Sequence, residues 1–251
     1  MLAAIAMTGQ FLARSVTVGG VARRYQIWVP AAYDRAHKWP AILFLHGSGE
    51  RGDDGEKQIA IGLGRALREG EVEAEAIVVF PQCPDGQRWV GAARKIAIAA
   101  LDATQREFSI DRDRVALTGM SMGGAGAWML AVRYPKRWSA LATVCAYIHR
   151  PPSVPDLDNP TDETCDAFAR RVPHIPIWIF HGSDDPVVPV SESREMARAL
   201  GPRAGYTEFA NTGHNAWDPA YTQTHVVSWL IEQKRSAVRG ASEGPASKSP
   251  D

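Results

Sequence analysis

Five short, nearly unbroken apolar runs limit what this chain can fold into more than any other feature. They are Ala41–Leu45, Ala76–Phe80, Arg114–Thr118, Ser139–Ala146 and Ile175–Phe180. A strand with one wet face alternates apolar and polar residues, whereas a strand covered on both faces reads as a continuous apolar run. Four of the runs stop at turn-forming residues: His46-Gly47-Ser48-Gly49, Pro81, Gly119 and His181-Gly182. Such runs belong to the interior of a parallel sheet.

Segments of helical spacing lie between and after them. Residues 91–108 carry Ile96, Ile98, Leu101 and Phe108, and residues 122–134 carry Trp128, Met129 and Val132 before Pro135. Residues 191–200 stop at Gly201-Pro202, a helix terminator. Residues 219–233 place Val226, Val227, Leu230 and Ile231 on one helix, with Pro219 suited to its first turn. Alternating strands and helices predict right-handed βαβ units. The fold class is therefore α/β, a doubly wound, mostly parallel sheet with helices on both faces. Two shorter strands are read at Tyr25–Pro30 and Tyr206–Phe209, and Gly19-Gly20 marks a hairpin that makes the first strand antiparallel.

Composition narrows the function. The 251 residues balance 28 Lys+Arg against 28 Asp+Glu, so no basic surplus is available for phosphates and nucleic acid is not an expected partner. No apolar run approaches the roughly 18 residues of a membrane span. Cys83, Cys145 and Cys165 are too few and too scattered for a disulfide framework, and no Cys/His cluster suggests a metal. Cysteine usage fits a reducing, cytoplasmic setting, and the N-terminus lacks the basic n-region of a secretory signal, although a processed exported form stays open. The chain divides into a stub at residues 1–10, one domain at 11–234 and a Ser-, Gly- and Pro-rich tail at 235–251 expected to be disordered. A Pro-rich loop at residues 150–160 sits in a connection too short for a large lid domain, which predicts an open site. A monomer or a homodimer is expected.

The chemistry centres on Gly119-Met120-Ser121-Met122-Gly123-Gly124, a G-x-S-x-G pattern between a buried strand and a helix. Glycines allow the sharp strand-to-helix turn that lifts a serine oxygen out of the sheet, and the helix N-terminus favours an anion beside it. A serine hydroxyl is a weak nucleophile until a base takes its proton, so an acid and a histidine must follow in that order. Asp184 and Asp185 both lie just past the Ile175–Phe180 run, Asp184 reading more as a turn cap. Of the seven histidines, His214 in Thr212-Gly213-His214-Asn215 combines the right order with a loop after a strand. Acyl transfer also needs donors for a tetrahedral oxyanion. One is expected from the Met122 N–H and the other from Ser48 or, as second choice, Gly49, with His46 orienting that loop.

The sequence resembles the α/β-hydrolase esterases, in the group of feruloyl esterases, polyhydroxybutyrate depolymerases and phospholipase/carboxylesterase-type predicted peptidases. The resemblance is carried by LFLHGSGERGDD (Leu43–Asp54), VVFPQCPDGQRW (Val78–Trp89), LTGMSMGGAGAW (Leu117–Trp128), IFHGSDDPVVPVSESREM (Ile179–Met196) and NTGHNAWDPAY (Asn211–Tyr221). It implies an α/β-hydrolase fold with Ser121 as nucleophile and His214 as general base, and its HGxxDxxVP pattern puts the acid on Asp185. It implies no cofactor. The expectation is a serine carboxylesterase for a small-molecule ester, short-chain acyl or aryl and feruloyl-type among them, with a peptidase on the same triad or a non-catalytic binding protein as alternatives.

Trp128 reads as core, whereas Trp89 and Trp217 lie in loops where they either line a pocket or pack. Gln82 follows a strand end at the edge where open α/β sheets bind ligands, and is expected to orient substrate. Cys83 has no base placed for it. Glu50-Arg51-Gly52-Asp53-Asp54 reads as a solvated rim, with Arg51 near the oxyanion loop.

Overall fold

A computed structural model describes residues 9–149 and 163–235. Strand β1 (Gly9–Val18) turns through Gly19 and Gly20 into β2 (Val21–Pro30), with Val18 opposite Val21. Both glycines have positive φ, 60° and 80°, the backbone that a two-residue hairpin turn requires. Then follow β3 (Trp39–Leu45), α1 (Gly62–Arg68), β4 (Ile77–Pro81), α2 (Gly91–Glu107), β5 (Ile110–Met120) and α3 (Met122–Arg133). The chain continues through β6 (Leu141–Val144), α4 (Cys165–Arg171), β7 (Ile177–Gly182), α5 (Ser191–Leu200), β8 (Ala204–Phe209), α6 (Trp217–Thr222) and α7 (Val226–Glu232).

The eight strands form one sheet in the order β1-β2-β4-β3-β5-β6-β7-β8. The β1–β2 and β2–β4 pairs are antiparallel and all others parallel. This is the α/β-hydrolase fold. Strand periodicity divides the apolar runs between two cores. Ala41, Leu43, Leu45, Ile77, Val79 and Leu117 meet α2, α3, α4 and α5 on one face. Ile42, Phe44, Val78, Phe80 and Val144 meet α1, α6 and α7 on the other. Both faces are dry, so the runs need no polar alternation.

Three differences from the sequence reading have physical causes. The single helix expected over 219–233 is two, α6 and α7. Thr224 breaks it: its hydroxyl donates to the Ala220 carbonyl at 2.6 Å and accepts from the Val226 N–H at 3.2 Å, in competition with the helix ladder. Helices α1 and α4 were not foreseen, because seven residues hold too little periodicity to register. Strand β1 starts at Gly9, inside the expected stub, and Arg235, expected in the tail, is held by Asp113 through its backbone N–H at 2.7 Å and its guanidinium at 2.5 Å. The tail beyond Arg235, the first eight residues and the Pro-rich loop lie outside the described residues. Among the described residues no helix is long and apolar enough to cross a membrane. Cys83, Cys145 and Cys165 are all buried and unpaired.

Candidate active site

Ser121 stands between β5 and α3 with φ 51° and ψ −120°, a conformation that side chains other than glycine's resist. The turn survives because its neighbours leave room: a Cβ on Gly123 would overlap the Leu45 carbonyl, and one on Gly119 would overlap the Gly123 carbonyl. The Ser121 N–H is anchored to the Val144 carbonyl at 2.8 Å. Next to it, Met122 opens α3, so its N–H has no acceptor within the helix.

The loops after β7 and β8 bring Asp185 and His214 to the same edge of the sheet. His214 Nε2 lies 2.9 Å from Ser121 Oγ, and His214 Nδ1 lies 2.7 Å from Asp185 Oδ2. With the carboxylate accepting at Nδ1, the ring carries its proton there and Nε2 accepts the serine hydroxyl. The Asp185 carboxylate is fully buried. Burial opposes its charge, but hydrogen bonds from His181 and His214 and from the N–H groups of Val188 and Val187 outweigh it and hold the carboxyl well below the usual range. Asp184, the other sequence candidate, is exposed and accepts from the Ser183 hydroxyl in the turn. The thiol of Cys145 donates to the His214 carbonyl at 3.1 Å, and Trp217 meets the His214 ring edge-on at 5.3 Å.

The loop after β3 lies against the serine: a Cβ on Gly47 would stand 3.7 Å from Ser121 Cβ. His46 latches it. Its Nδ1–H donates to the Gly47 carbonyl at 2.6 Å, its Nε2 accepts the Cys83 N–H at 2.9 Å, and its carbonyl accepts the Trp89 indole N–H at 3.0 Å. Burial drops its pKa to about 4, which matches this neutral role. Ser48 and Gly49 are exposed beyond the latch, the Ser48 carbonyl accepting from Arg51 Nε at 2.8 Å.

The pocket residues divide. Trp89 is buried, and with Met122, Met129, Tyr147 and Ile148 it walls an apolar pocket alongside the start of α3, Arg88 also lining it. Gln82 does not present its amide to a ligand space. Its oxygen accepts the Gly55 N–H at 2.7 Å, and its nitrogen donates to the Glu50 carbonyl and Asp54 Oδ1, both at 3.1 Å. The Gln82 side chain thus holds the 50–55 loop. Burial pushes the Cys83 thiol up to about 12, leaving it inert. Glu50 departs from the solvated rim: its side chain is 12% exposed, and Oε2 is buried without a hydrogen-bond partner, 4.0 Å from His46 Nδ1. Sequence reasoning missed this, because nothing in a run of charged residues tells which one turns inward.

Comparison with known proteins gives the family. The Esterase family ("Putative esterase") matches residues 99–233, more than half of the chain and a span that includes Ser121, Asp185 and His214. The chain belongs to that family. A solved thermostable esterase is 30% identical with a TM-score of 0.73, over 90% of this chain and 63% of that one. A feruloyl esterase module from Clostridium thermocellum, solved in complex with sinapinate, shares the fold at 12% identity and a TM-score of 0.69, over 94% and 93% of the two chains. Acyl-protein thioesterase 1 of Gibberella zeae is 26% identical over 107 residues, 41% of this chain and 42% of that protein. The chain thus spans less than two thirds of the thermostable esterase and less than half of the thioesterase.

Proposed function

We propose that this protein is a serine carboxylesterase working through an acyl-enzyme. One observation carries the reading: the continuous hydrogen-bonded line from Ser121 Oγ through His214 to the buried Asp185. Ser121 Oγ attacks the ester carbonyl while its proton passes to His214 Nε2. The carbonyl π pair moves onto oxygen, where the Met122 N–H and a second N–H from Ser48 or Gly49 receive it. Collapse of the tetrahedral species breaks the bond to the alcohol oxygen, which leaves with the proton from His214. Water repeats the sequence on the acyl-enzyme, losing its proton to His214 and releasing the acid and free Ser121. Asp185 keeps the Nδ1–H tautomer and stabilises the imidazolium between steps.

Short-chain acyl or aryl esters, feruloyl-type among them, are the proposed substrates. The apolar side chains beside Met122 and the Trp217 ring beside His214 support an acyl or aryl group. The test is a panel of p-nitrophenyl esters from acetate to octanoate, with methyl ferulate, an acyl thioester and peptide anilides, for the parent and for Ser121→Ala. Ester turnover that vanishes in the variant is expected. Ser121-dependent turnover confined to peptides would replace the esterase by a peptidase, and a folded parent inert to all would leave a binding protein.

A further inference from the structure

Behind the Asp185 carboxylate stands a second imidazole that the steps above do not use. His181 lies near the end of β7, fully buried. Its Nε2 is 3.0 Å from the Val188 carbonyl and 3.2 Å from Asp185 Oδ2. Both neighbours only accept, so Nε2 carries the ring proton and shares it between them. Its Nδ1 is 2.7 Å from the hydroxyl of Ser193, itself buried in the first turn of α5, and the lone pair there receives the hydroxyl proton. Asp185 Oδ2 thus accepts from two imidazoles, while Oδ1 accepts from the Val187 and Val188 N–H groups at 2.8 and 2.9 Å.

The other ionisable groups near His181 are already committed. Cys145 Sγ lies within 4.8 Å of the ring and the carboxylate, but its thiol is turned to the His214 carbonyl. Glu208 on β8 is held by Arg194 at 2.6 and 2.8 Å and by the Tyr206 hydroxyl at 2.5 Å. Neither competes for the Nε2 proton.

We propose that His181 is a positioning residue for the ester hydrolysis assigned above: donating to Asp185 Oδ2, it fixes the carboxylate plane and takes a share of the charge that His214 feels. The inference rests on the reading of Ser121, His214 and Asp185 as the reacting group. Two consequences follow from losing that donor. A freer carboxylate holds His214 less firmly, which lowers kcat. More charge on Oδ2 steadies the imidazolium, which moves the acidic limb of kcat/KM to higher pH. Mere loss of packing has no reason to produce the second effect.

His181→Phe fills the ring volume without a donor, and His181→Gln restores a terminal N–H. The Phe variant is expected to lose about 10- to 100-fold in kcat, by analogy with the partners that orient metal-ligating histidines, with KM little changed and the acidic limb raised. The Gln variant is expected to recover most of both. Fluorophosphonate labelling counts competent sites, so unfolded protein is not read as lost kcat. Parental kcat and limb in His181→Phe overturn the proposal, and so does a loss that His181→Gln shares in full. The unmutated protein gives a second, independent test through nitrogen-15 NMR of its histidines. A His181 proton on Nε2 at neutral pH is expected, and one on Nδ1 overturns the proposal even if His181→Phe fails to fold. That spectrum is readable whether or not the parent hydrolyses esters, so failure of the esterase reading is distinguishable from failure of this one.

Discussion

At φ 51° and ψ −120°, Ser121 trades stability for an exposed oxygen. Ser121→Gly should therefore lose all turnover yet gain about 1 kcal/mol in urea unfolding over Ser121→Ala, which keeps the strained Cβ. Two carboxylates should answer pH in opposite senses. Burial raises the Glu50 carboxyl, so its contribution is present below its ordinary pKa and lost as pH rises through the raised value. Glu50→Gln is expected to raise Tm at pH 8 and leave it little changed at pH 4. Glu208, lowered to about 2 chiefly by Arg194, contributes above its ordinary pKa and loses that contribution as pH falls toward 2. Glu208→Gln is expected to lower Tm at pH 7 and to match the parent at pH 2. Ser121 and His214 were legible in the sequence as residues of loops that follow strand segments in the order a nucleophile and its base require, whereas position alone left Asp184 and Asp185 both open and the family resemblance pointed to Asp185. Gln82 was not, because its partners come from the 50–55 loop and no local pattern encodes that meeting, and Glu50 was not, because nothing in a charged run tells which side chain turns inward.

Elements meet here through missing side chains. Helix α3 lies so close to the end of β3 that a Cβ on Gly123 would overlap the Leu45 carbonyl, and backbone cannot yield as a flexible side chain can. Gly123→Ala should cost about 3 kcal/mol or more, seen as a lower Tm and loss of soluble protein. Gly49→Ala, which meets nothing within 4 Å, should stay within about 0.5 kcal/mol of the parent. The long elements could be read from period and punctuation, and α5 falls at the foreseen Ser191–Leu200. The break between α6 and α7 could not, since no glycine or proline marks it between Ala220 and Glu232 and the Thr224 hydroxyl bonds that compete with the ladder form only in the folded chain.

On the scale of the whole molecule, one sheet buries both faces and delivers its loops to a single edge. The loop after β3, the turn after β5 and the loops after β7 and β8 converge there, so residues 46–49, 121, 185 and 214 meet although far apart in the chain. The doubly wound, mostly parallel sheet was legible because continuous apolar runs admit few other architectures, whereas the order of its strands was not read. The substrate was not, because side chains such as Trp89, Met129 and Tyr147 come from separate segments and meet beside Met122 only after folding.

The central claim is an acyl group carried on Ser121. Mixing the protein with p-nitrophenyl acetate and quenching within milliseconds should give a burst of about one p-nitrophenolate per labelled site, with intact-mass and peptide spectra placing an acetyl group on Ser121. Ser121→Ala should show neither. An acetyl group on another residue, or turnover that survives in Ser121→Ala, would contradict the account.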